Sequence, residues 1–151
     1  MASSVFAVID TNVLVSALIS TNPESPTIAV LENVYSGVII PVFNGEILDE
    51  YRKVLSRDKF NLDSLDVEEA LSLFTLYGLN LEKTKVTDEL FPDPKDLVFY
   101  EVKMSKDDAY LVTGNTKHFP NKPFVVTPRE MVELLQGLSV RKGANENCGR
   151  V

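Results

Sequence analysis

Short apolar runs alternate with helical segments along nearly the whole chain, and this alternation restricts the fold more than any other feature. The run SVFAVI is short, β-branched and apolar, and it leads directly into NVLVSALI, which has the pattern of a helix. The runs GVIIPV, AYLVT and FVVT repeat the strand pattern, and KTKVTD is a further short strand candidate. Because parallel strands need helical crossovers, the pattern predicts an α/β fold with a central, mostly parallel sheet flanked by helices on both faces.

Helix boundaries are marked by residues suited to capping. Asn44 precedes one amphipathic segment, and Thr127 precedes the last one. The last helix is expected to end at Gly137, because the residues beyond it are small and polar. The sequence therefore predicts one domain over residues 1–138 and a polar C-terminal tail over residues 139–151.

Composition narrows the class of protein. A chain of 151 residues with 44% hydrophobic content can form one real core. It has one cysteine, Cys148, so no internal disulfide can form, and a reducing, cytoplasmic compartment is expected. No run is apolar over the length of a membrane span, and the N-terminus lacks a signal-peptide pattern, so no membrane association is expected. The net charge of −7 argues against broad electrostatic wrapping of nucleic acid but permits local contact.

Polar residues follow two of the predicted strands. Asp10 comes directly after SVFAVI, and Asn115 follows YLVT closely. In parallel sheets, ligands bind at the carboxyl ends of strands. The two residues therefore predict a site at that edge, although Asp10 is also explained as the cap of the helix that follows it.

Two further acids lean toward the interior. On a helical wheel, Glu50 lies at the edge of the apolar arc of its helix, although a rim glutamate with a solvated head is an open alternative. Asp96 precedes LVFYEVKM, which is apolar on nearly every side, but it can also close a capping box with Asp93. The adjacent pair 107–108 is interpreted as a turn.

Three separate elements thus offer one inward-leaning carboxylate each. Such a cluster is costly unless a cation neutralises it. With a single histidine, His118, and a single cysteine, a zinc cluster is excluded, and all-oxygen ligands suit Mg²⁺ or Mn²⁺.

Several blocks resemble the successive motifs of PIN domains, most closely the toxin-type branch of bacterial toxin–antitoxin pairs. The blocks are VIDTNVLVSAL, NGEILDEYRKVLSRDKF, DPKDLVFYEVKMSKDDAYLVTGNTKHFP and VVTPREMVELL, and together they span about residues 5–137. The resemblance implies a metal-dependent ribonuclease with acids clustered at the edge of the sheet.

Carried over by position, the resemblance assigns the catalytic and metal-binding roles to Asp10, Glu50, Asp96 and Asn115. Asp93 matches an additional acid of this branch. The chain has Asn115 where many members have aspartate, so it keeps an oxygen ligand but loses a charge. This departure weakens the expectation of two tightly bound metal ions. The resemblance also implies RNA as substrate, a small antitoxin protein as partner, and self-association, expected as a dimer.

Small polar and basic residues near these positions are candidates for contact with the substrate. They are Thr11, Asn12, Thr113, Arg57, Lys117 and His118. Helix capping and strand-end hydrogen bonding explain the first three about as well. Ordinary surface charge is an alternative for the last three.

Two other functions remain open. A haloacid-dehalogenase-like phosphatase also starts from a strand-end aspartate, but Asn12 replaces its second acid. A catalytically decayed PIN domain that binds protein or RNA without cutting is the non-enzymatic alternative, suggested by Asn115.

Overall fold

The computed structural model of the protein describes residues 4–82 and 85–148, with side chains through residue 138. The strands are β1 (Val5–Ile9), β2 (Ile39–Phe43), β3 (Leu79–Asn80), β4 (Tyr110–Val112) and β5 (Val125–Val126). They form one parallel sheet in the order β3-β2-β1-β4-β5. The α-helices are α1 (Thr11–Ile19), α2 (Pro26–Tyr35), α3 (Gly45–Leu55), α4 (Ser64–Tyr77), α5 (Leu97–Met104) and α6 (Pro128–Cys148). Short 3-10 turns cover Asp58–Phe60, Pro94–Asp96 and Thr116–His118.

The sheet is covered on both faces. Successive strand residues point to opposite faces, and the consecutive residues Ala7, Val8 and Ile9 have no exposed surface. Helices α1 and α6 pack on α2, which contacts β2, whereas α4 and α5 contact the sheet directly and α3 touches both of them. The α/β fold predicted from the alternating pattern is confirmed.

Two predicted helix caps are confirmed. Asn44 Oδ1 accepts a hydrogen bond of 2.9 Å from the Ile47 amide at the start of α3. Thr127 and Glu130 exchange hydrogen bonds at the start of α6, in the reciprocal pattern of a capping box. These side chains satisfy amide groups that the first helical turn leaves without partners.

Two predicted boundaries are wrong. The third strand is Leu79–Asn80, which pairs with β2, and residues 85–88 of KTKVTD form no strand, while residues 83–84 lie outside the described part. The backbone of α6 does not end at Gly137 but continues to Cys148. A single glycine costs a helix only about 1 kcal/mol, which neighbouring helix-forming residues can offset. The division of the chain at residue 138 stays a prediction.

A buried aromatic cluster contacts the carboxyl end of β1 through Tyr51. The Tyr51 ring on α3 packs against Phe74 of α4 and Phe99 of α5, with centroids 5.2 and 6.1 Å away. The buried Tyr51 hydroxyl donates a hydrogen bond to the carbonyl oxygen of Ile9, the last residue of β1. The strand end that precedes Asp10 is therefore fixed by a side chain from α3.

Among residues 4–82 and 85–148, no helix combines the length and the apolar character needed to cross a membrane.

Candidate active site

Asp10 lies where the two central strands end. Its amide donates a hydrogen bond of 2.9 Å to the carbonyl of Val112, the last residue of β4. The side chain is only 5% exposed. The sequence prediction that Asp10 sits at the carboxyl edge of the sheet is confirmed, and burial makes it unlike an ordinary surface acid.

Three donors hold the Asp10 carboxylate. Its Oδ1 accepts from the Thr11 amide at 2.8 Å, so the predicted capping of α1 is real. Its Oδ2 accepts from the Thr113 hydroxyl at 2.7 Å and from Asn12 Nδ2 at 3.2 Å. Oδ1 of Asp10 therefore caps α1, while Thr113, the residue after β4, orients Oδ2.

Burial raises the pKa of Asp10 above its usual range. The hydrogen bonds from Thr113 and Thr11 favour the ionised form and oppose this effect, as does His118, whereas the charge of Glu50 adds to it. Asp10 thus carries an electrostatic cost that a nearby cation would relieve.

A cavity of about 470 Å³ opens beside Asp10. Its size is within the range of small-molecule sites in proteins. It gathers most of the residues that the sequence singled out. These polar lining residues are Asp10, Thr11, Asn12, Glu50, Arg57, Asp93, Asp96, Asn115 and His118.

Asp96 lines this cavity, and one of its carboxylate oxygens makes no hydrogen bond with the described residues. The predicted capping box does not form, because Asp93 Oδ1 alone caps the 3-10 turn by accepting from the Lys95 amide at 3.0 Å. Asp96 makes no capping hydrogen bond although it occupies the cap position of α5. Its side chain is 14% exposed, and within the described residues its buried Oδ2 lacks a hydrogen-bond partner.

The charge environment of Asp96 raises its pKa to about 6. Burial is the main cause, followed by the charges of Asp10 and Asp93, and His118 opposes the shift. His118 Nδ1 lies 3.4 Å from Asp96 Oδ2, a charge contact slightly longer than an ordinary hydrogen bond. A carboxylate with this pKa next to another buried acid is the pattern found at functional sites.

Glu50 and Asn115 complete the polar wall of the cavity. Glu50 is half-buried on α3, beside the buried arc that the helical wheel predicted. The Asn115 side chain is exposed, and its backbone amide donates to the Thr113 hydroxyl at 3.0 Å. The loop after β4 is thereby tied to the same hydroxyl that orients Asp10.

Two of the predicted substrate-contact residues do not line this cavity. Thr113 has no exposed surface and its hydroxyl is bonded to Asp10, so it positions that acid instead of reaching a substrate. Lys117 lines a separate surface cavity with Lys122.

The predicted turn at residues 107–108 is confirmed.

The side chains of Asn12 and Thr11 differ in their hydrogen bonding. Asn12 bridges two loops, because its Nδ2 donates to Asp10 and its Oδ1 accepts from the Gly114 amide at 3.1 Å. The Thr11 hydroxyl oxygen is buried at the cavity without a hydrogen-bond partner among the described residues.

Sequence reasoning missed part of the cavity. Lys95 and the apolar residues Val15, Ile19 and Phe60 line it as well. The spacing of four between Thr11, Val15 and Ile19 was a usable signal, because it places all three on one face of α1. The position of Phe60 depends on a turn that no periodic pattern predicts.

The residue types at the cavity suit a hard divalent cation. The carboxylates of the described residues, however, are not arranged so that three of them could bind one ion. Acid and amide oxygens converge on the cavity, and Asp96 Oδ2 and Thr11 Oγ1 are buried without hydrogen bonds. No three acidic, histidine or cysteine side chains within residues 4–82 and 85–138 are placed so that they could hold one ion. The structure places Asp10, Glu50 and Asp96 at one cavity, and their predicted role as metal ligands stays a prediction.

Comparison with known families assigns the chain. Residues 7–117 match the family model described as PIN domain, a segment that runs from β1 through the loop after β4. The protein belongs to the PIN domain family. PIN domains are generally nucleases and usually use divalent metal ions, which agrees with the acids gathered here. Neither the comparison with curated proteins nor the comparison with solved structures gives a match.

Membership in the PIN domain family removes support from the phosphatase alternative. The matched segment contains Asp10, Glu50, Asp96 and Asn115, and it ends one residue before His118. The contact between His118 and Asp96 is therefore a feature of this chain that the family match does not cover.

Proposed function

We propose that this PIN domain is a metal-dependent endoribonuclease that hydrolyses RNA phosphodiester bonds at the cavity beside Asp10. One observation carries the proposal: Asp10 and Asp96, from distant parts of the chain, line one cavity, and the charge of Asp10 helps to raise the pKa of Asp96. Such a pair is stable at neutral pH when a cation shares its charge.

Asp10 and Asp96 would hold the cation, with Glu50 and Asn115 contributing further oxygens. When bound, Mg²⁺ or Mn²⁺ lowers the pKa of a coordinated water and offsets negative charge on the leaving oxygen. Thr113, the Thr11 amide and Asn12 keep the Asp10 carboxylate in one orientation. Fixed orientation matters because misplacement by about 1 Å can cost two orders of magnitude in rate.

Positive groups at the rim would guide RNA to an acidic protein. Arg57 and Lys95 line the cavity, and both side chains are exposed. His118 would contact the phosphate next to Asp96. These local charges suffice for binding, because contacts to individual phosphates, and not the net charge, supply most of the affinity.

We also propose that the protein is the toxin of a toxin–antitoxin pair, because four of its sequence blocks resemble the toxin-type branch of PIN domains. We accordingly propose a small antitoxin protein as partner and a homodimer as the working form. Inducing the gene in a host with and without the adjacent open reading frame tests the first point. Analytical ultracentrifugation tests the second.

A second candidate, a PIN domain that binds RNA without cutting it, is favoured by two observations. Asn115 removes one negative charge from the cavity, and the described residues present no ready three-ligand arrangement. The two candidates differ in their response to metal, since a pure binding domain needs none.

Cleavage of a labelled RNA with Mn²⁺, with Mg²⁺ and with chelator separates the candidates. We expect cleavage with either metal, none with chelator, and a loss of at least about 100-fold in Asp10→Asn. Asp49→Asn is the matched control, because Asp49 is exposed on α3 and does not line the cavity. Binding of RNA without metal-dependent cleavage would establish the second candidate instead.

A further inference from the structure

The cavity extends well past its acidic residues along one face of α1. Thr11, Val15 and Ile19 all line it, and they are spaced four residues apart on that helix. At 1.5 Å of rise per residue, Thr11 and Ile19 are about 12 Å apart along the axis. Along α1 the lining thus changes from polar at Thr11, next to Asp10, to apolar at Ile19.

The apolar end contains two side chains that contribute nothing to the core. Ile19 is 47% exposed, and neither Ile19 nor Phe60 belongs to the core cluster or packs against it. Within the described residues, the Phe60 ring forms no pair with another aromatic ring, and the Lys59 ammonium lies 5.0 Å from its centroid. Lys59 thus lies over one face of the ring, and a ring that lines a polar cavity outside the core offers its other face to a planar ligand.

The turn that carries Phe60 is well defined. Phe60 ends the 3-10 segment that starts at Asp58, and the next residue, Asn61, has a positive φ of 49°. Its amide donates to the Asp58 carbonyl at 3.0 Å, which closes the turn. Asparagine tolerates this left-handed conformation better than other side chains do, so the local sequence fixes where the ring is presented.

A second positive group lines the same cavity as Phe60. Arg57 lines the same cavity, and its guanidinium has no hydrogen bond or ion pair with the described residues. By contrast, Arg52 on α3 is paired with Glu68 at 3.1 Å. An unpaired guanidinium and an aromatic ring that line one cavity suit a ligand that combines a flat base with a phosphate.

We propose that Ile19, Phe60 and Val54, an apolar residue of α3 that also lines the cavity, form a subsite for one unpaired RNA base next to the scissile bond. The base stacks on the Phe60 ring, and Arg57 holds the adjoining phosphate. This subsite rests on the ribonuclease function proposed above, and it makes single-stranded RNA the substrate. A base within a duplex cannot reach the ring, because its faces are already stacked on neighbouring bases.

Binding of an RNA oligonucleotide in the presence of chelator tests the subsite independently of cleavage. The probe is a fluorescent single strand, together with a series in which one base at a time is replaced by an abasic residue. Stacking on an aromatic side chain is worth enough that its loss weakens binding about 10-fold. We expect one abasic position to weaken binding to the wild-type protein by that factor.

Substitution of Phe60 then identifies the ring as the stacking partner. In Phe60→Leu, which keeps an apolar side chain, the intact strand is expected to bind about 10-fold more weakly. The abasic strand should bind this variant as it binds the wild-type protein, so the effect of the abasic position disappears. Phe60→Tyr should retain wild-type binding, and so should Tyr77→Ala, a control at an exposed aromatic residue outside the cavity.

The outcomes separate the subsite from the proposed function. RNA binding and cleavage that are unchanged in Phe60→Leu overturn the subsite alone. Equal affinity for the single strand and for its duplex also overturns the subsite alone. A wild-type protein that neither binds nor cleaves RNA overturns the ribonuclease function and the subsite with it.

Discussion

The Thr113 hydroxyl donates a hydrogen bond of 2.7 Å to Asp10 Oδ2, and it joins two residues that are 103 positions apart in the chain. Both side chains are buried. The same hydroxyl accepts from the Asn115 amide, so one side chain fixes both the acid after β1 and the loop after β4.

Removing this hydroxyl should impair activity through Asp10. In Thr113→Val, the carboxylate loses its shortest hydrogen bond and the Asn115 amide loses its acceptor, so we expect kcat/KM for RNA to fall about 10- to 100-fold. The pKa of Asp10 should rise further, because the bond that opposes the effect of burial is gone. Thr113→Ser keeps the hydroxyl and should stay within about threefold of wild type. Equal rates for the two variants would show that the bond has no role.

The stability of the metal-free protein should fall as the pH rises through the titration of Asp96. Its folded-state pKa of about 6 exceeds the ordinary value of 3.8, so the folded state binds more protons than the unfolded state between these values. The stabilisation is complete below the lower pKa and is lost as the pH rises through about 6. We expect Asp96→Asn to be more stable than wild type by about 2 kcal/mol at pH 7.5 in chelator, and equally stable at pH 3.5.

Urea unfolding at these two pH values measures the difference, with Asp49→Asn as the control for loss of an exposed acid. Saturating Mn²⁺ should stabilise the wild-type protein more than Asp96→Asn. A wild-type protein that is as stable as Asp96→Asn at pH 7.5 would show that Asp96 is not electrostatically strained.

Restoring a carboxylate at position 115 should strengthen metal binding. Asn115 lines the cavity, so Asn115→Asp adds a negative charge there, and Mn²⁺ affinity is expected to rise about 3- to 10-fold. Cleavage at low metal concentration should increase accordingly. Asn121→Asp adds the same charge at an exposed residue outside the cavity and should change neither quantity. If Asn121→Asp raises Mn²⁺ affinity as much as Asn115→Asp does, the cause is the change in net charge and not the position of the carboxylate.

The guanidinium of Arg57 should contribute one phosphate contact. For Arg57→Gln we expect weaker binding of single-stranded RNA and a slope of log K against log salt that is smaller by about 0.7. Arg129→Gln changes the net charge equally at an exposed residue that does not line the cavity. Anisotropy titrations at four salt concentrations measure both slopes, and a slope of Arg57→Gln equal to that of the wild type would exclude the contact.

Much of the fold follows from local signals. The apolar run before Asp10 reads as a buried strand because β-branched residues and burial on both faces act together there. The caps at Asn44 and Thr127 are local in the same way, since each side chain accepts a hydrogen bond from the amide three residues ahead. The third strand was misplaced because Leu79–Asn80 is too short for any periodicity and is fixed only by pairing with β2.

The candidate site was predictable in its members and not in its geometry. Position at the end of a strand or the start of a helix indicated Asp10 and Asp96, and the helical wheel indicated Glu50. The contact between His118 and Asp96 depends on how the 3-10 turn after β4 lies relative to the 3-10 turn before α5, which no sequence pattern encodes. Asp93 both caps the turn that follows it and lines the cavity, and only the capping is a local feature that the sequence indicates.

Calorimetric titration with Mn²⁺ at pH 7.5 tests most directly whether the acids around the cavity hold a divalent cation. The account predicts saturable binding in the wild type and in Asp49→Asn, and binding at least about tenfold weaker in Asp10→Asn. Equal Mn²⁺ affinity in the wild type and Asp10→Asn, or no binding to either, would contradict it.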